Sequence, residues 1–344
     1  MARFSGGRMN STCSNWFVRN LSFLIVAFSL AGTFGTARAQ QLTKVEFAGY
    51  GPADVGQSFL FTAVEKGYFK DEGIDFQYVA GQGGGDAIKR LITGGASFAW
   101  ASTDTIMFAA DQGAKVKGVF NIHNNFYDFA YLPDKLGMHV SKMQDWKGKK
   151  IGIISQASIT RYLVMEALSA AKMQQDDVSF IAVGFAAIPP LQAGQIDAYV
   201  SWPSLNGAMR KAGLNIAEYS TGLDFPTDQI VTSDELLSKN LDLVDHFIRA
   251  VAKAMKYEPN HFDEVAAYLP KYMAAPFTPE AIKPILVDGE TWIHGPQTKT
   301  HGLGYTDIDS LAPILALLRQ ANSIQHDLDL HSLYTNEFQE KYGR

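Results

Sequence analysis

The sequence predicts an α/β protein with two lobes, each built on a mainly parallel sheet with helices on both faces. Strand and helix patterns alternate from residue 45 to residue 201, an order that is typical of parallel sheets. Helix-to-strand turns at Gly94 and Gly194 share a Leu-x-x-Gly pattern, which indicates two similar lobes whether or not they share ancestry. After Ser220 helical patterns dominate, so we expect the chain to return to the first lobe.

The first forty residues predict an export signal that is cleaved from the mature chain. A flank with three arginines and no acidic residue precedes an apolar run of ten residues, 21–30. Such a run is too short to cross a bilayer core, which needs about twenty residues. Ala37 and Ala39 complete a small-x-small cleavage pattern, so residues 1–39 are the predicted signal peptide. The alternatives are a buried N-terminal helix, or initiation at Met9 with the same signal.

Composition and charge exclude several classes of function. Without residues 1–39 the chain loses four of its 30 basic residues and none of its 35 acidic ones, which leaves 26 against 35 and a charge of −9. Such an acidic chain is a poor candidate for binding nucleic acid or anionic membranes. Cys13, the only cysteine, lies in the signal, which excludes disulfides and thiolate metal sites. Since the histidines lack metal-ligand spacing and no later apolar stretch could cross a membrane, we expect no metal, no cofactor and no stable membrane insertion.

The first lobe is predicted to contain four strands, separated by glycine-rich loops and helices. Apolar residues at helical spacing predict the helices, and apolar–polar alternation over 74–79 predicts a strand. Asp86 and Ser102 stand where side chains cap helices. The predicted elements are strand 45–48, loop 49–54, helix 59–64, strand 74–79, loop 81–85, helix 86–92, strand 98–101, helix 102–110 and strand 116–120.

A second alternating run predicts the other lobe, and a helical run predicts the return to the first. Crossings near 121–138 and 221–232 would form a two-segment hinge that lets the lobes close on a ligand. Lobe 1 is therefore predicted to comprise 40–125 and 226–344, and lobe 2 to comprise 126–225. The predicted elements are strands 151–154, 178–183 and 196–201 with helices 159–171 and 185–193, then strand 229–232 and helices 241–256, 261–269, 279–287 and 308–321.

Five blocks of sequence resemble one family. The most specific is GYFKDEG at Gly67–Gly73, within the block Phe61–Asp75. The chain is similar in these blocks to the nitrate/sulfonate/taurine-type periplasmic substrate-binding proteins of ABC transporters, a family related to thiamine-pyrimidine-synthase-like proteins. The resemblance covers most of the chain after the signal. The other blocks, in the family's order, are Gly94-x-x-Ser97-Phe98, Trp146–Gly152, Gly194–Ala198 and Thr232–Asn240.

The resemblance implies a type II periplasmic binding protein fold, in which two doubly wound α/β lobes close like a venus flytrap on a small-molecule ligand. It implies a periplasmic protein that docks on an ABC permease and its ATPase and is not an enzyme. We expect a monomer. One departure leaves the ligand open, because family members often carry Glu-Pro after the tryptophan at position 202, where this chain has Pro203-Ser204.

Candidate ligand contacts lie in loops that follow predicted strands, because ligands of such sheets bind at strand carboxyl ends and helix N-termini. Glycines let the backbone approach a ligand, hydroxyls exchange hydrogen bonds, and aromatic rings stack. Each candidate also has a structural explanation as a turn, a helix cap or core packing. The candidates are Tyr50, Asp54, Gln82, Gly83, Ser102, Thr103, Ser155, Ser158, Thr160, Arg161 and Trp202.

Three features point to different ligands. Arg161 is either a clamp for a carboxylate or sulfonate, or a solvated helix arginine. The polar and aromatic run 123–127 near the outgoing crossing either suits a flat ligand or forms a surface loop. Asp104 is either a helix cap or a partner for a ligand cation. The sequence therefore predicts a small organic anion of sulfonate, nitrate or carboxylate type, or a heteroaromatic compound.

Two other functions stay open at the level of sequence. By the resemblance, a thiamine-pyrimidine-synthase-like enzyme would need a cofactor-binding lysine, a histidine and a cysteine-rich motif. Ser102 occupies the lysine position and Ile106 the histidine position, and the chain after the signal has no cysteine. A ligand-sensing lobe for a membrane signalling partner would share every feature with a transport protein.

Overall fold

Two five-stranded sheets form the framework of this protein. The computed structural model describes residues 41–156, 158–274 and 277–344. The signal peptide predicted for residues 1–39 lies outside the described residues. The strands are Thr43–Ala48 (β1), Ile74–Val79 (β2), Phe98–Ser102 (β3), Val116–Asn124 (β4), Asp128–Tyr131 (β5), Lys150–Ile153 (β6), Ser179–Ala182 (β7), Ala198–Ser201 (β8), Ala217–Ser220 (β9) and Pro226–Ser233 (β10).

In each sheet one strand runs antiparallel to the other four. The first sheet has the order β2-β1-β3-β10-β4, and β10 is the reversed strand between β3 and β4. The second has the order β7-β6-β8-β5-β9, and β5 is the reversed strand between β8 and β9. The strand that arrives from the other lobe is thus inserted between two strands of the sheet it joins. This topology confirms the predicted two-lobed α/β fold class.

The chain passes between the sheets twice, at residues 125–127 and 221–225. The side-chain amide of Asn124 donates to the carboxylate of Asp224 at 2.8 Å. The backbone N–H of Asn125 donates to a carbonyl of the other segment at 2.9 Å. Each predicted crossing contains one of these segments, and together they form the two-segment hinge.

Helices flank both sheets. They are Ser58–Glu65 (α1), Tyr68–Asp71 (α2), Gly84–Ile92 (α3), Thr103–Asp111 (α4), Pro133–Leu136 (α5), Ile159–Ala170 (α6), Ile188–Ala193 (α7), Pro203–Lys211 (α8), Asp234–Lys239 (α9), Leu241–Tyr257 (α10), Phe262–Tyr268 (α11), Pro279–Ile293 (α12), Pro296–His301 (α13), Ala312–Gln320 (α14), Leu330–Leu333 (α15) and Glu337–Tyr342 (α16). Ser233 and Asn240 cap α9 and α10, because their side chains accept the backbone N–H three residues on.

Helix α10 buries an apolar stripe against one face of the first sheet. Val244, Phe247, Ile248 and Val251 are fully buried and recur at helical spacing. The ring of Phe247 stacks on that of Phe98 in β3, with 3.9 Å between centroids. This packing holds β3, and therefore the loop at its carboxyl end, in a fixed position.

Two helices of the C-terminal region contact the second lobe. Helix α12 packs against α8, and α14 packs against both α4 and α6. The sequence alone places this region on the first lobe, and its packing against both lobes was not anticipated. The lobe boundaries at 125/126 and 225/226 stay a prediction about which residues move together.

Two strands, β5 and β9, were not predicted from the sequence. Strands β5 and β9 have four residues each, too few for a period-two pattern to stand out. The returning strand predicted at 229–232 is the longer β10, because β3 and β4 offer hydrogen-bonding partners along both of its edges. Tertiary pairing, and not local propensity, sets the lengths of these three strands.

Candidate functional site

A cavity of about 330 Å³ lies between the two sheets. Its lining comes from the loops that follow β1, β2 and β3 in the first sheet and β6, β7 and β8 in the second. The carboxyl ends of parallel strands are where open α/β sheets bind ligands. The crossing segment 125–127 and helix α12 complete the walls. A volume of this size lies within the range of small-molecule sites.

Most of the predicted contacts lie on this cavity. They come from both lobes, as expected for residues that would meet on closure. Whether they touch a ligand stays a prediction. The predicted residues in the lining are Tyr50, Asp54, Gln82, Gly83, Ser102, Ser155, Ser158 and Trp202.

Three predicted contacts lie outside the lining, each because its side chain has another partner. The hydroxyl of Thr103 is buried and donates to the Pro226 carbonyl at 3.3 Å. The hydroxyl of Thr160 accepts the Ile154 backbone N–H at 3.1 Å, which holds the turn between β6 and α6. The guanidinium of Arg161 lies over the rings of Tyr162 and Phe180, away from the cavity. Planar guanidinium groups favour such stacking.

Asp54 forms hydrogen bonds with residues of both lobes at the edge of the cavity. Its carboxylate accepts the Gly56 N–H at 2.8 Å and the Tyr50 hydroxyl at 3.0 Å within the first lobe. It also accepts the hydroxyl of Ser204, from α8 of the second lobe, at 3.2 Å. Burial raises the pKa of Asp54, and these hydrogen bonds offset part of the rise. The lobes are therefore in direct hydrogen-bonded contact here.

An unbroken series of rings runs along the cavity from one lobe to the other. Trp100 lies 5.6 Å from Tyr50 and 5.4 Å from the imidazole of His123, between centroids. From His123 the series continues to Phe126 at 5.0 Å and from there to Tyr127 at 4.4 Å. Tyr127 in turn makes an edge contact with Trp202 of the second lobe, and Trp202 makes one with Phe185. Flat aromatic faces suit a flat ligand.

Acidic and polar side chains share the first-sheet wall of the cavity. Asp228 on β10 stands opposite Ser102 on β3 and His123 on β4, so the three side chains form a row across neighbouring strands. The Nδ1 atom of His123 lies 3.8 Å from Oδ2 of Asp228. Asp104 follows Ser102 by two residues and is 1% exposed. Burial raises the pKa of Asp104 to about 6, despite hydrogen bonds from Ser102 and Thr105.

Helix α12 supplies a wall that nothing in the sequence analysis identified. Glu290 on this helix and Glu258 after α10 place two more carboxyl groups on the cavity. Burial raises the pKa of each to about 7. The α12 residues in the lining are Ile285, Leu286, Gly289, Glu290 and Ile293. The polar and aromatic run 123–127 already indicated His123, Phe126 and Tyr127 in the sequence. The sequence of α12 resembles that of an ordinary amphipathic helix and gave no indication of a role in the cavity.

Two further observations concern the described residues as a set. Nowhere in 41–156, 158–274 and 277–344 do three histidine or carboxylate side chains converge in the way that a metal ion requires. No helix in these ranges is both long enough and apolar enough to cross a membrane.

The fold is that of periplasmic binding proteins. The periplasmic aliphatic sulphonate binding protein SsuA from Escherichia coli superimposes with a TM-score of 0.67 and 15% identity, over 86% of this chain and 98% of that chain. The periplasmic nitrate-binding protein NrtA from Synechocystis gives a TM-score of 0.56 and 14% identity, over 67% of this chain and 66% of that chain. At such identities these likenesses concern the fold alone.

The sequence places the chain in a family. The model of the NMT1/THI5 like family matches residues 56–265, and this chain belongs to that family. The riboflavin-binding protein RibY of Chloroflexus aurantiacus is 23% identical over 316 residues, which cover 88% of this chain and 85% of RibY. The resemblance drawn from the five sequence blocks is thus confirmed.

Proposed function

We propose that this protein is the solute-binding component of an ABC importer and that it captures a flat heteroaromatic molecule between its lobes. One observation carries the proposal: rings from both lobes and from the crossing segment 125–127 line a single cavity at the carboxyl ends of the parallel strands. A ligand that bridges the lobes adds contacts only in the closed form, so it shifts the equilibrium toward closure. That shift is what a membrane permease would detect.

The arrangement of the rings supports a flat ligand. Tyr50 and Trp100 belong to the first lobe, Phe126 and Tyr127 to a crossing segment, and Trp202 to the second lobe. A planar guest inserted along this series would contact rings of both lobes at once. Each such aromatic contact contributes about 0.5–1.5 kcal/mol beyond the burial of area. Closure and recognition would therefore draw on the same side chains.

The charges of the lining support a heteroaromatic ligand over a small anion. None of the described residues that line the cavity is a lysine or an arginine. Five lining residues carry carboxyl groups, namely Asp54, Asp104, Asp228, Glu258 and Glu290. A buried sulfonate, nitrate or carboxylate would find no cationic partner among them, and an unpaired buried charge is costly. The name of the relative RibY points to the same chemical class, since a flavin is a flat heteroaromatic ring system.

The wider role follows from the fold and the family. The proposed partners are an ABC permease and its ATPase, and the proposed location is the periplasm, reached through the signal predicted for residues 1–39. The proposed state is a monomer, and the proposed role is not enzymatic. At Ser102, the position where the related enzymes would place a lysine, the cavity presents a hydroxyl that cannot form a Schiff base. A sensing role would use the same cavity and differ only in the membrane partner.

Calorimetric titration tests the proposal directly. Riboflavin, lumichrome and simple aromatic amides form the heteroaromatic panel, and nitrate, taurine and methanesulfonate form the anion panel. We expect saturable heat and an upward Tm shift with members of the first panel and none with the second. Trp202→Ala should weaken binding by about tenfold, whereas Tyr305→Ala, which removes a ring outside the lining, should leave it unchanged. Binding of the anions alone would overturn the proposed ligand class.

A further inference from the structure

Asp104 presents a hydrogen-bond acceptor that the protein leaves unused. Its side chain lines the cavity and is 1% exposed, and its Oδ1 atom has no hydrogen-bond partner among the described residues. Buried polar atoms are nearly always paired, because an unpaired one forfeits the hydrogen bond it would make with water. An unpaired oxygen in a ligand cavity therefore marks a position where a ligand donor would be stabilised.

A second group on the same wall, the Nδ1 atom of His123, also lacks a hydrogen-bond partner among the described residues. His123 lines the cavity, and its Nδ1 atom makes no hydrogen bond within the described part of the chain. Asp228, 5% exposed, stands between His123 and Ser102 in the row across the sheet. The charge of Asp228 adds to burial in raising the pKa of Asp104, because a nearby carboxylate disfavours ionisation of Asp104. The wall thus brings together two carboxyl groups and one unpaired acceptor, Oδ1 of Asp104.

Among the described residues, no lysine or arginine side chain lies in the cavity to compensate these carboxyl groups. The described lining contains neither lysine nor arginine, and the guanidinium of Arg161 is held against Phe180. Burial raises the pKa of Asp104 only to about 6, so the group is largely ionised at neutral pH. A buried carboxylate is stable when it is paired with a cation or with strong hydrogen-bond donors. Ser102 and Thr105 already donate hydrogen bonds to Asp104, but no lysine or arginine of the described lining pairs with it, so the ligand is the remaining source of such a cation.

We propose, on the basis of the proposed function, that the ligand is a positively charged nitrogen-containing aromatic compound whose N–H edge binds Asp104 and Asp228. A planar amidinium-type edge fits this wall, because its two parallel N–H groups match the two oxygens of a carboxylate. The ring behind that edge would lie against Trp100 and Phe126, whose faces also attract cations. The ring series thus selects a flat shape, and the acidic wall selects the charge.

A series of probes with one shape and three charges tests this inference. Benzamidine is cationic at neutral pH, benzamide is neutral and benzoate is anionic, and the three have nearly the same size. Titrated into the intact protein at pH 7.5, benzamidine should bind at least about tenfold more tightly than benzamide, the ratio typical of a charge-assisted hydrogen bond. Benzoate should bind most weakly.

Two isosteric variants assign the effect to the wall. Asp104→Asn should reduce the preference for benzamidine over benzamide by about tenfold while leaving benzamide binding nearly unchanged. Asp228→Asn should reduce it as well, which gives a second route if the first variant does not fold. Asp242→Asn removes a carboxylate at an exposed second position of α10, and it should keep the full preference.

The outcomes separate the two proposals. If benzamide or benzoate binds to the wild type as tightly as benzamidine, or if both variants keep the preference, the charge assignment is overturned while aromatic capture stands. If none of the three probes nor any member of the heteroaromatic panel binds, the proposed function itself fails, and the charge assignment falls with it.

Discussion

Replacement of Glu258 by glutamine should change how the stability of this protein depends on pH. Glu258 follows α10, is 3% exposed and lines the cavity. Its carboxyl oxygens accept the hydroxyls of Ser58 at 2.7 Å and Thr62 at 2.5 Å. Glutamine has the same shape, and its amide can still exchange hydrogen bonds with both hydroxyls.

The sign and size of the effect follow from the pKa. Burial, with a smaller repulsion from Glu290, raises the pKa of Glu258 from 4.5 to about 7 in the folded protein. Between these values the folded state holds a proton that the unfolded state has released, so stability falls as the pH rises. At about 1.4 kcal/mol per pH unit, this shift corresponds to a loss of about 3 kcal/mol that is complete above pH 7.

Urea unfolding followed by tryptophan fluorescence, from pH 4 to pH 8.5, measures this effect. The Glu258→Gln variant should match the wild type near pH 4 and exceed its unfolding free energy by about 3 kcal/mol at pH 8. Glu264→Gln is the control, because hydrogen bonds from Tyr257 and Lys66 lower the pKa of that carboxyl. Its stability relative to the wild type should fall as the pH rises. A difference between Glu258→Gln and wild type that does not vary with pH would refute the reasoning.

Three further sets of substitutions test how residues of the cavity and its loops affect ligand affinity and stability. Phe185→Ala, at a 54% exposed ring on the cavity, should weaken an aromatic ligand by about two- to tenfold without changing Tm, whereas Ile92→Ala, 51% exposed and outside that cavity, should do neither. Ser204→Ala removes the hydrogen bond from Ser204 to Asp54 and should lower ligand affinity by about threefold or more, while lowering the unfolding free energy by no more than about 1.5 kcal/mol. Gly81→Ala would place a Cβ 2.2 Å from a backbone oxygen and should lower Tm and ligand affinity together, whereas Gly85→Ala, with open space around it, should keep its Tm. Calorimetry measures the affinities and thermal melts measure Tm. Equal effects of Phe185→Ala and Ile92→Ala, or of Gly81→Ala and Gly85→Ala, would contradict the prediction for that pair. Unchanged ligand affinity in Ser204→Ala would contradict the prediction for Ser204.

Some site residues could be predicted because they are fixed by local order along the chain. Tyr50, Ser102 and Ser158 each follow a strand whose period and flanking glycines are visible in the sequence. Parallel strands bring their carboxyl ends to one edge whatever else the chain does, so these residues had to share that edge. The cavity lining contains all three.

Other site residues were decided by contacts between distant parts of the chain. Asp228 reaches the cavity because β10 is inserted between β3 and β4, and no pattern within β10 specifies those neighbours. The side chain of Arg161 lies outside the cavity because its guanidinium lies over the ring of Phe180. Glu290 faces the cavity because α12 packs against α8 of the other lobe.

The sequence by itself therefore determined the two-lobed α/β architecture and the loops that meet between the lobes. Hydrophobic period and turn residues act over a few positions, and they are readable one segment at a time. Only the tertiary structure decided the charge of the cavity, since its acidic wall combines side chains from β3, β4, β10, α4 and α12. Burial in that shared space, which no segment has alone, raises the pKa of Asp104, Glu258 and Glu290.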